Sequence, residues 1–343
     1  MKSRILKSVF VMFILLVYSC NEPETIVTDI VHPDGSVTRI IESRSGEDNI
    51  IFDTSPVPID STWTIKDTIE ISNGKDTTWI RRAEKLFKDV NELNASYSEW
   101  KGLDNEVERS ASFEKKFRWF HTVYVFSENF SRALEHGYPM DKFMNKEEIS
   151  FYYLPDQVYK QMEAGKDSLA YGAMKDTISK REDAWIWRSL ISEWIENYTA
   201  LTSSIGGAGQ DSSTLRSREE MAAHLMTGKG DSAAIAYLVG PGNFEKYKKE
   251  IDSTNKIVEK RFNVAMEFSK YTVRMKMPGE IISTNGYPAE TGELVWPARS
   301  EFFLTTDHSM VAESKVVNYW AWVISGIFIV FVVTGILLRI FRK

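Results

Sequence analysis

From Tyr319 to Leu338 the chain reads YWAWVISGIFIVFVVTGILL, without a charge. As a helix rising about 1.5 Å per residue, this run is about 30 Å long, the thickness of a bilayer's hydrocarbon core. Tyr319, Trp320 and Trp322 stand at one end, where amphipathic rings favour the headgroup region. Arg339, Arg342 and Lys343 stand at the other, and positive flanks tend to stay cytoplasmic. The expectation is a transmembrane helix over 319–338, a cytoplasmic tail over 339–343, and everything before Tyr319 outside the cytoplasm.

The N-terminus carries a second membrane signal. Lys2, Arg4 and Lys7 precede an apolar run, Val9 to Val17, the layout of a secretory signal. The run ends Val17-Tyr18-Ser19-Cys20, which resembles the lipobox of bacterial lipoproteins, a small residue placed just before a Cys. The resemblance implies a signal peptide over 1–19, acyl chains (palmitate among them) on Cys20, and a lipidated tether over 20–24. Cys20 is the only cysteine, so no intramolecular disulfide exists and the exported part must hold together by its core. With both anchors in one bilayer, the expected address is the cytoplasmic membrane, and the domain's first and last strands both enter from the membrane side.

Between the anchors lie about 300 residues, enough for one large domain or two smaller ones. Ten tryptophans and 13% aromatic residues argue for a packed domain rather than a disordered stalk. A net charge of −6 gives no basic footprint for nucleic acid. Thr25–His32 and Ser36–Glu42 flank Asp34-Gly35, and Trp63–Ile71 and Thr77–Arg81 flank Asn73-Gly74. Each pair reads as a β-hairpin, and together they form a meander of four strands. Leu86–Arg109 carries a weak helical signal. Phe113–Phe130 (FEKKFRWFHTVYVFSENF) is apolar on both faces at period two and reads as one long central strand, buried on both sides. An aromatic ligand platform is the less favoured reading of the same rings.

From about 139 to 264 the period becomes helical. Asn145 with Glu148 reads as a capping pair. A helix over Asp176–Thr202 carries an apolar stripe of Trp187, Leu190, Ile191, Trp194, Tyr198 and Leu201. Gly206–Gly209 reads as a loop, and Ser217–Met226, Ser232–Leu238 and Asn243–Val264 as further helices. Strands resume at Phe268–Lys276, Glu280–Thr284, Gly292–Trp296, Phe302–Thr305 and Met310–Ser314. The expected fold is therefore α+β, a mostly antiparallel sheet over 25–315 with a helical insertion over about 139–264. The rival is a β domain followed by a separate helical one.

Met277, Pro278, Gly279, Asn285, Gly286, Val295 and Trp296, followed by a last strand leading into the membrane helix, resemble envelope lipoproteins of the LppM type. The Asp34-Gly35 hairpin close behind the lipobox fits the same plan. The resemblance covers about 100 residues in two pieces. It implies a compact envelope domain in contact with lipids or glycolipids, without catalytic residues.

Motifs for chemistry are missing from the sequence. There is no His-Glu-x-x-His, Gly-x-Ser-x-Gly or Cys/His cluster. Gly228-Lys229 lacks the glycine and hydroxyl of a phosphate loop, since Ala223 and Gly230 stand there. His32, His121, His136, His224 and His308 have no ligand spacing, and Glu147/Glu148 and Glu219/Glu220 suit helix N-termini. No catalytic residue, cofactor or metal site is expected. The expected role is a non-enzymatic envelope module binding lipid, glycan or an envelope protein. The alternative is a scaffold or assembly subunit of a membrane complex, with Ser325, Gly326 and Gly335 admitting a neighbouring helix. A hydrolase with an unrecognised site is the remote third.

Overall fold

The computed structural model describes residues 24–46, 57–72, 76–99, 107–164, 168–204, 235 and 241–342. They form an α+β body followed by one long apolar helix. The first seven strands in chain order are β1 (Glu24–Val31), β2 (Val37–Ser45), β3 (Thr64–Ser72), β4 (Asp76–Phe87), β5 (Arg109–Phe117), β6 (His121–Phe130) and β7 (Tyr271–Lys276). The last four are β8 (Glu280–Thr284), β9 (Tyr287–Pro288), β10 (Leu294–Ala298) and β11 (His308–Val317). One sheet has the order β3-β4-β2-β1-β7-β10-β9 and the other β5-β6-β11-β8. Every pairing is antiparallel except β1 with β7.

The first hairpin forms as its sequence dictates. Alternate residues of β1 and β2 are buried, and the intervening turn closes through Gly35 N–H to His32 O at 3.0 Å. Asp34 Oδ1 holds the turn by accepting from the Ser36 N–H at 3.0 Å and hydroxyl at 2.7 Å. Val27, Val31, Val37 and Ile41 then meet Phe126, Phe130, Met310 and Ala312 from the other sheet in one shared core. Each large apolar side chain so buried contributes roughly 1.5–3 kcal/mol.

Three sequence expectations change. The N-terminal strands are not a meander, because β2 pairs with β4 and leaves β3 at the sheet edge. Phe113–Phe130 is two strands, not one. The chain folds back at Arg118–Phe120, closed by Arg118 N–H to His121 O at 2.8 Å. A run of that length exceeds the usual strand, and its middle rings sit at the hairpin tip rather than in a core. Phe302–Thr305 is not a strand either; Ser300–Phe303 is a 3-10 turn. Phe302, Phe303 and Leu304 are all buried, and a strand cannot turn consecutive side chains to one side.

The helices are α1 (Val90–Glu99), α2 (Lys146–Tyr152), α3 (Asp156–Glu163), α4 (Ser168–Ser204), α5 (Pro241–Lys246), α6 (Lys248–Glu267) and α7 (Tyr319–Phe341), with a 3-10 turn at Met140–Lys142. Asn145 and Glu148 form the expected reciprocal cap on α2. On α4, Trp194, Tyr198 and Leu201 pack with Ile251 and Val258 of α6. Trp185, not Trp187, is the fully buried indole, and its N–H donates to Tyr138 O at 2.7 Å. The turn at Asn73-Gly74, the loop at Gly206–Gly209 and the helices expected over 217–226 and 232–238 lie outside the described residues, apart from helical Ile235.

The motif of Pro-Gly, Asn-Gly and Trp joins the two sheets. Asn285 Oδ1 accepts from Trp296 Nε1 of β10 at 3.0 Å and from Val311 N–H of β11 at 2.9 Å. Gly286 lies under the Trp296 indole, where a Cβ would come within 2.3 Å of the ring. Gly279, at φ +82°, lies so close to Lys315 O that a Cβ would sit 2.2 Å from it.

Those contacts also set direction. β7 starts beside Arg109, which donates to the Tyr271 hydroxyl at 3.3 Å, and the chain beyond its end reaches Lys315. β1 runs parallel to β7, so Glu24 lies at the His308 end of the body and α7 leaves from the Val317 end. The first and last strands therefore do not enter from one side. The ten residues of β11 separate the two ends by about 30 Å at roughly 3.3 Å each.

Candidate membrane interface

β11 passes into α7 through Asn318, and Asn318 is tied to the β5–β6 hairpin tip on every side. Its N–H donates to Phe120 O at 2.9 Å, and its Nδ2 to Arg118 O at 2.8 Å. Its Oδ1 accepts from the Thr122 hydroxyl at 3.1 Å. The aromatic rings continue the clasp. Phe117 stacks on Trp320 at 6.3 Å, Trp119 meets Trp320 edge-on at 5.3 Å, and Phe120 lies 4.4 Å from Trp322. Trp119 Nε1 donates to Ser325 Oγ, one further turn along α7, at 2.9 Å.

Phe117, Trp119 and Phe120 are exposed in the protein itself, as are Tyr319, Trp320 and Trp322. α7 is long and apolar enough to cross a membrane, with a mean hydropathy of 2.6 and 6% of its most apolar stretch buried in protein. Soluble proteins rarely leave such a surface bare. Arg339 and Arg342 lie exposed at its far end; Lys343 and Cys20 lie outside the described residues. The sequence reading singles out the rings on α7 but not those of the hairpin tip that pack against them. Lys115-Lys116-Phe117-Arg118-Trp119-Phe120 mixes cations with rings, the composition of an interfacial segment, although its period alone points to a strand interior.

Several buried ionisable groups away from this tip hold the body together. Asp29 and Arg39, a directly paired couple on β1 and β2, form a bidentate ion pair at 2.7 and 2.8 Å. Arg39 also reaches Glu128 of the other sheet at 3.0 Å and the Tyr97 hydroxyl of α1, which donates to Glu128 at 2.7 Å. All four side chains are buried. Burial pushes the Asp29 carboxyl above its ordinary 3.8 against the pull of Arg39, and pushes the Tyr97 phenol well up. Buried Glu193 accepts from His136 N–H at 2.7 Å and Asn197 Nδ2 at 2.8 Å and pairs with Arg261, joining α4 to α6. His308, stacked on Tyr153 at 5.7 Å, is pushed down to about 4 by burial. His32, bonded to Thr38 at 2.9 Å, His121 and His136 lie apart from it, and His224 is outside the described residues. Among the described residues no three His, Cys, Asp or Glu side chains are grouped to hold a metal ion.

No protein-family model matches the chain, and no curated protein sequence does. Among solved structures it is similar to the NMR structure of the folded domain of LppM from Mycobacterium tuberculosis. The likeness covers 86% of this chain and 91% of that one, at 8% identity and a TM-score of 0.28. The LppM-type resemblance read from the sequence thus returns as a loose structural likeness, too loose to carry fold or function across.

Proposed function

We propose that this protein is a non-enzymatic module of the cell envelope, held on the surface of the cytoplasmic membrane with its α+β body outside the cytoplasm. The observation that carries the reading is the clasp of the β5–β6 tip on the first turns of α7. Asn318 leaves no free linker between body and helix, so the body holds one orientation on the bilayer. Such a module acts by presenting its surface to lipid, glycan or another envelope protein. Acylation at Cys20 adds a second attachment.

A scaffold or assembly role is favoured by one further observation. Glu24 and α7 stand at opposite ends of the body, about 30 Å apart along the strands. The four steps from Cys20 to Glu24 span at most about 14 Å. Acyl chains on Cys20 share the bilayer of α7 only where the body tilts toward it; a body standing upright spaces two attachments.

Proteolysis of intact spheroplasts tests the address. The ectodomain is expected to be digested while a tag placed after Lys343 survives, and the protein is expected to band with cytoplasmic membrane on a density gradient. A protected ectodomain, or the intact protein in the outer-membrane fraction, overturns it.

A further inference from the structure

Among the described residues, Arg118 is the cation of the hairpin tip whose side chain has no bonding partner. Lys116 is paired with Glu114 at 2.8 Å, and Lys115 Nζ donates to Pro33 O at 3.0 Å. Arg118 is exposed, and its bonds within the described residues are those of its backbone, N–H to His121 O and C=O from Asn318 Nδ2. Its depth follows from α7. The helix from Asn318 to Leu338 is about 30 Å long, so Asn318 stands at the edge of the hydrocarbon, where lipid phosphates lie. Arg118, bonded to Asn318, stands there too.

Directly below, Trp119, Ile324, Ser325, Phe328 and Ile329 border a notch of about 310 Å³. Four of these five side chains are apolar or aromatic, and the one hydroxyl, Ser325, is bonded to Trp119. An uncompensated guanidinium at phosphate depth above an apolar notch at acyl depth matches the two halves of a phospholipid. A guanidinium fork holds two oxygens of a phosphodiester at once. A zwitterionic headgroup would bring an ammonium beside Arg118, whereas a net-negative one neutralises it.

We propose that the tip and α7 together bind one anionic phospholipid of the leaflet on the ectodomain's side. Its phosphate sits on Arg118 and the upper methylenes of one acyl chain lie against Trp119 and Phe328. The site rests on the reading of the tip as seated in the membrane.

Two measurements on the full-length protein separate the two ideas. The first is native mass spectrometry in mild detergent with added phosphatidylglycerol or phosphatidylcholine. Wild type is expected to retain phosphatidylglycerol in preference. Arg118→Gln is expected to lose about tenfold or more of that retention, the worth of a charge-assisted bond, and Arg118→Lys to keep part of it. Ser325→Leu, which fills the notch, is expected to lose it with Arg118 intact. Equal retention by wild type and Arg118→Gln, or of the two lipids, overturns the site. The second is fluorescence quenching by acyl-brominated phosphatidylcholine in nanodiscs, with Trp119→Phe subtracted. Quenching of Trp119 in wild type with unchanged retention in Arg118→Gln removes the lipid site and leaves the seat. No quenching of Trp119 in wild type removes both.

Discussion

Replacing Arg39 by Met is the perturbation with the largest consequence for the body. Arg39 is 1% exposed, and it faces Asp29 at 0% and Glu128 at 2%. Removing the cation leaves carboxylates buried without a counter-charge, and breaking one partner of a buried ion pair costs about 3–5 kcal/mol. At about 2–4 °C per kcal/mol for a domain of this size, the melting midpoint falls by roughly 6–20 °C. The assay is near-ultraviolet circular dichroism of the full-length protein in detergent, since the rings of the core report packing directly. pH adds an independent sign. Burial raises the Asp29 carboxyl above 3.8 in the folded protein. Between that value and the folded one, folding takes up a proton, so this group's contribution falls as pH rises through the window. Without Arg39 the folded value moves higher still, and protonation removes the uncompensated charge. The deficit of Arg39→Met is therefore expected to be larger at about pH 7.5 than at about pH 4.5. The double variant Asp29→Asn with Arg39→Met is expected to recover part of it. A melting midpoint within 2 °C of wild type at about pH 7.5 would refute the reasoning.

Asn285→Ala withdraws the acceptor shared by Trp296 Nε1 and Val311 N–H and is expected to cost about 1–3 kcal/mol by urea unfolding, with Asn285→Asp losing less, since it keeps the acceptor although it sets an oxygen against Ser309 O in place of the amide donor. Equal loss in both variants would show that the amide, not the shared acceptor, matters. Cys20→Ser is expected to abolish acyl labelling and leave the protein in the membrane pellet, because a spanning helix holds far more firmly than acyl chains. Its appearance in the soluble fraction would show that α7 does not span.

Local signals were legible where one chain segment decides its own structure. Asp34-Gly35 fixes its turn through one carboxylate, Asn145 and Glu148 cap their helix between themselves, and the apolar stripe of α4 meets α6 as its period requires. Pairing between distant strands was not legible. The choice of β4 over β3 as the partner of β2, and the parallel contact of β1 with β7, are made across tens to hundreds of residues. The hairpin tip was misread for a different reason. Phe117, Trp119 and Phe120 look like core residues by hydropathy, and only the position of α7 shows that they pack, exposed, on its first turns. The interior charges were not legible either: Asp29 shares the face of Val27 and Val31 and Arg39 that of Val37 and Ile41, but their partner Glu128 arrives from the other sheet.

The seat of the hairpin tip in the bilayer is tested most directly by spin-label depth. Cys20 is the only cysteine, so the Cys20→Ser protein accepts a single label anywhere. One label goes on Phe120→Cys at the tip and another on Thr306→Cys, exposed at the opposite end of the body. In nanodiscs, the label at 120 is expected to relax by collision with dissolved oxygen, which concentrates in lipid. The label at 306 is expected to relax with a water-soluble nickel chelate. A label at 120 as open to nickel as the one at 306 would contradict the account.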